Sequence, residues 1–427
     1  MRLGLGAALL YQCSLKTANA CPVYLGGGML RGERNAAWNR QDIRAFSASN
    51  SAGSPQWQEV PMDVVPLSVD GEMLFFGDEN WRQEPLASTD RVVFEESSFG
   101  LKRNNREGLP CLERGVTEIV SQSDPSRGLY LVSCPGRSGP GFAKPVNYDP
   151  SQFLLSGLNY AYWFQPKNHM LFKEIRLGPS VIGGPLKGGG ERGKIAAKDA
   201  QMWIHSDVKN FFTLDLSGSD MESYLEKYRT GSMSMVGRVQ FYLKILFFKI
   251  KLSLTTDATF FADSAHIPQM ITLPDRAAGR LRPGSGIVYG WKPNDIGAFR
   301  IVNAQLPDVV PLGAKEGIEH VAAMAKPWCH SDPCDFKLEF LANGQNLAMD
   351  FRIPRRLVER GFFPQLIRDM KGMTKTAGWG DSDEMGDVGL FFEVSALEAG
   401  THVYDFWLRL GETRGRCPRA VSVVNYR

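Results

Sequence analysis

The chain has 427 residues and a formal net charge of +3, with 43% apolar and 22% charged side chains. This balance is typical of a globular protein of two or three domains and excludes a disordered or collagen-like chain. The longest apolar stretch, residues 241–254, is interrupted by three lysines. A helix that crosses a membrane needs about 20 apolar residues in succession, so no membrane span is predicted.

The first 46 residues are basic and poor in acids, with six basic side chains against Glu33 and Asp42. This composition is typical of a mitochondrial transit peptide, and residues 44–47 resemble a site at which presequences are cut. A secretory alternative uses the apolar residues 3–10 and a cleavage site at 18–20. The sequence therefore predicts a targeting presequence over 1–46, with mitochondrial localisation in the leading interpretation and secreted or periplasmic localisation in the alternative.

The pattern Trp-x-His-Ser-Asp occurs twice, at residues 203–207 and 328–332. Matching residues surround both copies, such as Tyr160 with Tyr289 upstream and Phe260 with Phe391 downstream. The matching positions lie about 130 residues apart, which is far longer than the repeat of a solenoid. The pattern predicts a tandem duplication of a unit that is as large as a domain.

Within each copy the patterns favour strands. Apolar and polar residues alternate over 248–255, and Asn343-Gly344 separates two further apolar stretches in the manner of a hairpin. Helices are predicted only at 219–229 and 354–371. The predicted fold class is mainly β, with tandem duplicated antiparallel β-sandwich or barrel domains and short inserted helices. The predicted order is a presequence (1–46), a small divergent β-rich unit (47–146), copy A (147–275), copy B (276–411) and a C-terminal tail (412–427).

The repeated motif supplies the candidates for catalysis. On a strand, His205 and Asp207 point to one face, as do His330 and Asp332, and such a pair can orient an imidazole as a general base. The alternative is structural: the tryptophan packs in the core and the aspartate caps the next turn. Because both copies keep the pattern, and a duplicated enzyme rarely needs two identical sites, the structural role is favoured.

Two loops resemble ligand-binding motifs without completing them. Residues 188–194 are one residue short of a phosphate-binding loop, and Ile195 stands where Ser or Thr belongs. The acidic segment 381–392 lacks the third ligand and the final glutamate of a calcium loop. No cofactor and no metal site is predicted. The residues that could still bind a phosphate or a cation are Lys187, Arg192 and Lys194 in the first loop and Asp381, Asp383 and Asp387 in the second.

Basic residues on the wet faces of strands are candidates for binding single-stranded RNA beside aromatic side chains. The alternative is that they only solubilise and protect strand edges. These residues are Lys244, Lys249, Lys251, Arg352, Arg355 and Arg356.

Cysteine usage depends on the predicted cleavage. A cut after Phe46 leaves five cysteines, an odd set that suits a compartment in which thiols stay reduced. A cut after Ala20 leaves six and permits pairs such as Cys111 with Cys134 and Cys329 with Cys334.

No complete catalytic or cofactor motif is present, and a duplicated β surface suits bivalent binding. The leading hypothesis is a non-catalytic mitochondrial binding or scaffold protein, acting through tandem β domains within a larger protein or RNA–protein assembly. Its partner is a protein or RNA, and homo- or hetero-oligomerisation is left open. One alternative is an enzyme acting on a phosphate ester or nucleotide through one diverged copy. The other is a secreted or envelope β-sandwich adhesion module.

Overall fold

Strands form most of the chain, and the prediction of a mainly β fold is confirmed. The computed structural model describes residues 22–30, 38–51, 54–67, 73, 79–121, 124–142, 144–178, 194–209, 212–245, 248–293, 298–303, 306–311, 318–319, 332–342, 345–367, 388–410 and 421–426. Within these ranges the α-helices are short: α1 (Gly27–Leu30) and α2 (Arg355–Glu359).

The first eight strands belong to the N-terminal part of the chain, and the later ones to the two predicted copies and the tail. The first are β1 (Pro22–Gly26), β2 (Ile43–Ser51), β3 (Ser54–Val60), β4 (Asp63–Val65), β5 (Arg91–Glu95), β6 (Gly100–Leu101), β7 (Val116–Ser121) and β8 (Arg127–Ser133). Next come β9 (Asn147–Asp149), β10 (Leu154–Ser156), β11 (Tyr160–Gln165), β12 (Asn168–Leu177), β13 (Lys194–Val208), β14 (Phe212–Ser217), β15 (Met221–Thr230), β16 (Met235–Ile245), β17 (Phe248–Phe260) and β18 (Ser264–Leu273). The last are β19 (Gly286–Pro293), β20 (Ala298–Asn303), β21 (Leu306–Pro311), β22 (Ile318–Glu319), β23 (Cys334–Ala342), β24 (Gln345–Ile353), β25 (Gln365–Ile367), β26 (Val388–Glu393), β27 (Gly400–Leu410) and β28 (Val421–Tyr426).

The described strands form three arrangements whose pairings are antiparallel, apart from a short parallel contact between β12 and β15. A small sheet has the order β1-β5-β4, and a second has the order β28-β7-β8-β2-β3 with β6 beside β8. Strands β9 to β27 form one large, continuous set of pairings. The tail therefore returns to the N-terminal part, because β28 pairs with β7 along its whole length.

The predicted copies A and B share a single core. Strand β13 pairs with β19, and β18 pairs with β27 from Ser264 opposite Arg409 to Leu273 opposite Gly400. One buried cluster contains Tyr162 and Phe260 of copy A together with Phe351 and Phe392 of copy B. Since these apolar surfaces cover one another, neither range buries its own core without the other.

The predicted helix at 219–229 is wrong, because this segment is strand β15. Met221 and Ser223 are buried on one face, and the strand is hydrogen-bonded to β16 from Met221 opposite Leu243 to Thr230 opposite Met235. Cross-strand pairing of aromatic and β-branched neighbours outweighs the modest helix propensity of the segment. Of the helix predicted at 354–371, the described residues 354–367 contain only α2, which is followed by the short strand β25.

The N-terminal part packs directly against the large sheet. The ring of Tyr24 on β1 meets Phe261 at 6.0 Å and Trp407 on β27 at 5.6 Å between ring centroids. The carboxylate of Asp63 on β4 accepts hydrogen bonds from the backbone N–H groups of residues 232–234 in the turn after β15. These contacts fix the walls of a cleft between the two parts. Among the helices that the structure describes, none is long and apolar enough to cross a membrane.

Candidate functional site

The His-Ser-Asp motif of copy A lies on β13, but its histidine and aspartate have separate partners. Nδ1 of His205 lies 2.6 Å from Oδ1 of Asp215, the residue directly opposite on β14. Oδ2 of Asp207 lies 3.4 Å from Nη1 of Arg282. The side-chain pair that orients this imidazole is thus His205–Asp215, formed across strands and not within the motif.

In copy B, His330 lies outside the described residues. Asp332 is described and exposed, and its Oδ1 accepts a hydrogen bond of 3.0 Å from the backbone N–H of Arg355. The aspartate therefore orders the start of helix α2. This contact is structural, but it joins Asp332 to a residue 23 positions further along the chain and not to the following turn that the sequence predicted.

Four of the six basic strand residues form ion pairs with acidic neighbours. Their N–O distances are 2.7 Å for Lys249–Glu222, 3.6 Å for Lys251–Glu226, 3.4 Å for Arg352–Asp335 and 2.9 Å for Arg355–Glu359. Lys244 and Arg356 are exposed. Paired cations leave less positive potential for a phosphate backbone. Lys187, Arg192, Asp381, Asp383 and Asp387 lie outside the described residues, as does the side chain of Lys194.

A cleft of about 250 Å³ lies between the N-terminal part and the β15–β16 turn. Trp81 forms its wall, in a 3-10 turn over Glu79–Arg82, and is only 8% exposed. The guanidinium carbon of Arg229, near the end of β15, is 4.3 Å from the centroid of the Trp81 ring. That of Arg82 is 5.6 Å from the same ring. Two cations therefore converge on one aromatic side chain.

The two guanidinium groups are close enough to oppose each other's charge. Burial, and then the positive charge of Arg82, lower the pKa of Arg229 to about 10, although Asp63 acts in the opposite direction. Arg229 nevertheless remains protonated at neutral pH. An anion in the cleft would relieve both the desolvation and the repulsion of these cations.

The acidic and basic residues behind the two cations are already engaged. Besides the backbone groups of the turn, Asp63 accepts hydrogen bonds of 3.0 Å from each of the Ser232 and Ser234 hydroxyls. Arg40 is 4% exposed and donates to Asp90 at 2.7 Å and to the backbone oxygen of Trp81 at 3.0 Å. Arg40 and Asp63 thus hold the wall and the turn in position, and Arg82 and Arg229 supply the charge.

A glycine is needed where the turn approaches the N-terminal part. A Cβ atom on Gly231 would lie 2.4 Å from Oδ2 of Asp63, which is closer than such atoms approach. The absence of a side chain therefore lets Asp63 reach the backbone N–H groups of the turn.

Sequence patterns did not identify this cleft. Trp81 and Arg82 are adjacent in the chain, but no motif or periodicity connects them with Arg229, and only the packing of the N-terminal part on β15 brings them together. An arginine beside a tryptophan in a turn was the one local feature that could have drawn attention to the site.

Comparisons with known proteins give likeness at the level of structure alone. No protein-family model matches the chain, and no curated protein matches it. One matching structure is an alpha-mannosidase from Enterococcus faecalis V583, with a TM-score of 0.46, 7% identity, and coverage of 96% of this chain and 44% of that one. Another is a protein in the glycosyl hydrolase family 38 from Enterococcus faecalis, with a TM-score of 0.44, 7% identity, and coverage of 96% and 46%.

These matches correct the functional hypothesis drawn from the sequence. Both proteins are described as members of glycoside-processing classes, and neither as a scaffold of an RNA or protein assembly, an adhesion module or an enzyme of phosphate esters. The prediction of a non-catalytic binding or scaffold function is therefore wrong, as are the two alternative functions, whereas these matches do not bear on the predicted localisation. The chain spans less than half the length of either protein, and at this similarity the likeness concerns the β-rich fold and carries no activity over to the chain.

Proposed function

We propose that this chain is a β-rich domain that binds an acidic saccharide in the Trp81 cleft. The observation that carries the proposal is the convergence of Arg82 and Arg229 on the ring of Trp81. Arginine forks suit carboxylate and sulfate groups, because they donate two parallel hydrogen bonds to them. The ligand should therefore carry one such group.

The rest of the cleft suits a saccharide ring. Its volume of about 250 Å³ is slightly below the usual range of roughly 300–1,000 Å³ for drug-sized ligands, as suits a single sugar ring, and its walls combine apolar side chains with polar ones. Val65 and Val236 can face the C–H groups of a sugar, while the exposed Gln41 can exchange hydrogen bonds with its hydroxyls. A bare inorganic anion would use the two cations and leave these walls without a partner.

Isothermal titration calorimetry with glucuronic acid, glucose and sodium sulfate tests the proposal. We expect glucuronic acid to bind and the other two to bind at least tenfold more weakly. Glucose lacks the carboxylate that the two arginines would bind, and sulfate lacks the sugar ring. Binding of glucose as strong as that of glucuronic acid would contradict the proposed role of Arg82 and Arg229. Binding of sulfate as strong as that of glucuronic acid would contradict the proposal that the ligand is a saccharide.

The variant Arg82→Gln should weaken the binding of glucuronic acid by about tenfold or more, since a hydrogen bond to a charged group contributes about 1.5–3 kcal/mol. Arg276→Gln is the matched control, because Arg276 is an exposed arginine away from the cleft. Thermal unfolding of both variants checks that they fold. An unchanged affinity in a folded Arg82→Gln protein would contradict the assignment of the site.

We also propose that the protein works in an oxidising compartment, which corresponds to the secreted or periplasmic alternative. Cys111 and Cys134 form a disulfide with a Cα–Cα distance of 5.5 Å, and disulfides persist mainly outside reducing compartments. Mass spectrometry of the native protein under non-reducing conditions tests this proposal: free thiols at both positions would contradict it. Mitochondrial targeting and oligomerisation stay predictions.

A further inference from the structure

A second cavity, separate from the Trp81 cleft, lies between the faces of the large sheet system. Its volume is about 80 Å³, and it shares no lining residue with the cleft. Residues of both predicted copies line it, among them Tyr162 and Ala200 of copy A and Tyr289, Phe392 and Tyr404 of copy B. By the usual measure of roughly 10–15 Å³ per water molecule, it has room for several waters or for one small ring.

The lining favours an uncharged ligand with an aromatic ring. It contains no charged residue, and most of it is aromatic or aliphatic. A charged group placed there would lose its hydration without gaining an opposite charge, which is costly. A flat ring can instead make the edge-to-face contacts that Phe392 already makes with Tyr289, at 6.4 Å between centroids.

The polar positions of the cavity are supplied by tyrosine hydroxyls and by the side-chain amides of Gln201 and Gln269. Tyr404 is 4% exposed, and its hydroxyl makes no hydrogen bond to another residue in the described part of the chain. Burial raises the pKa of Tyr404 well above its usual value, and the neighbouring Tyr289 raises it further. Burial also raises the pKa of Tyr289 to about 12. Both phenols are thus neutral and able to donate a hydrogen bond.

Buried tyrosine hydroxyls normally find a partner, and the polar group of a ligand could serve as that partner. We propose that this cavity binds a small, uncharged ring compound that carries one hydrogen-bonding group, of the class of the simple phenols. The ring packs against Phe392 and its aromatic neighbours, and the polar group meets the hydroxyls of Tyr404 and Tyr289. This site does not depend on the saccharide cleft.

Calorimetry with three probes of similar size tests the inference on the wild-type chain. We expect p-cresol to bind saturably, toluene to bind several times more weakly because it lacks the hydroxyl, and benzoate not to bind because it is charged. The absence of saturable p-cresol binding would overturn the proposal. Equal binding of benzoate would overturn it as well, since a charge is incompatible with this lining.

Two variants locate the binding. Ala200→Leu places a larger side chain in the cavity and should weaken the binding of p-cresol and toluene at least tenfold. Tyr404→Phe removes only an oxygen, and should reduce the preference for p-cresol over toluene while leaving the binding of toluene intact. The second variant keeps the test decisive if the first does not fold. Unchanged binding of both probes in a folded Ala200→Leu protein, or an unchanged preference in Tyr404→Phe, would place the ligand elsewhere.

Discussion

At the scale of single residues, Asp263 is a buried carboxyl whose charge is poorly compensated. It lies in the turn between β17 and β18 and is 6% exposed. Its Oδ1 makes no hydrogen bond within the described part of the chain. Burial, and then the negative charge of Glu95, raise the pKa of Asp263 to about 7, although Ser264 and Arg409 act in the opposite direction. The neutral acid is therefore the form that the fold prefers.

This pKa determines how the stability depends on pH. The folded state binds one proton more than the unfolded state between about pH 4 and pH 7, so the contribution of Asp263 is fully present below pH 4 and is lost as the pH rises through 7. Asp263→Asn imitates the neutral form. We expect it to raise the free energy of unfolding at pH 8 by up to about 4 kcal/mol, because the pKa lies about three units above its usual value and each unit corresponds to roughly 1.4 kcal/mol, and to change it little at pH 4.

Urea unfolding of both proteins at pH 4 and pH 8 measures this difference. The exposed Asp275→Asn controls for the loss of one negative charge. A variant that is less stable than the wild type at pH 8, or a difference that does not depend on pH, would contradict the prediction.

At the scale of elements, a disulfide joins β8 to the loop before β7. Cys134 follows β8 directly and packs with Phe46, Tyr130 and Val132, while Cys111 lies at the edge of the same cluster. The cysteines are 23 residues apart. A crosslink over a loop of this length restricts the unfolded chain and typically contributes about 3 kcal/mol to stability.

The double variant Cys111→Ala/Cys134→Ala should therefore lower the free energy of unfolding by about 3 kcal/mol. Guanidinium chloride unfolding under non-reducing conditions provides the measurement. The single variant Cys111→Ala is the control, because it breaks the bond but leaves the Cys134 side chain in the core. A double variant as stable as the wild type would show that the crosslink does not restrain this part of the chain.

At the scale of the whole molecule, the N-terminal part and the large sheet system are joined through specific contacts. The predicted cleavage after Phe46 falls inside β2, and it would also remove β1, whose Leu25 is buried. The alternative cleavage after Ala20 leaves every described strand in place. The two predicted cleavage sites thus differ in whether β1 and part of β2 remain in the mature chain.

A chain beginning at Ser47 should consequently be much less stable than one beginning at Cys21. It lacks the Tyr24 contacts with Phe261 and Trp407 and loses the buried residues Ile43, Ala45 and Phe46. Hydrogen exchange of the two purified chains is the measurement, and strands β5 and β8 should lose protection in the shorter one. Equal protection would contradict this prediction and would fit a targeting segment that ends at Phe46.

Much of the strand content followed from local patterns, because alternation with a period of two reports directly which face of a strand is buried. Residues 248–255 and the hairpin around Asn343-Gly344 became β17, β23 and β24. The segment 219–229 misled the prediction, because its pairing with β16 depends on residues that its own sequence does not contain. Helix propensity is a weak preference that tertiary contacts override.

The sequence by itself determined that this protein is mainly β and where several of its strands run, because successive side chains of a strand point to opposite faces and burial alternates along strands such as β11. Only the tertiary structure decided how those strands combine. It joined the two predicted copies in one core, returned β28 to the N-terminal sheet and paired His205 with Asp215. It also placed Arg82 and Arg229 on one tryptophan. Such contacts depend on the register and packing of strands far apart in the chain, which no local pattern records.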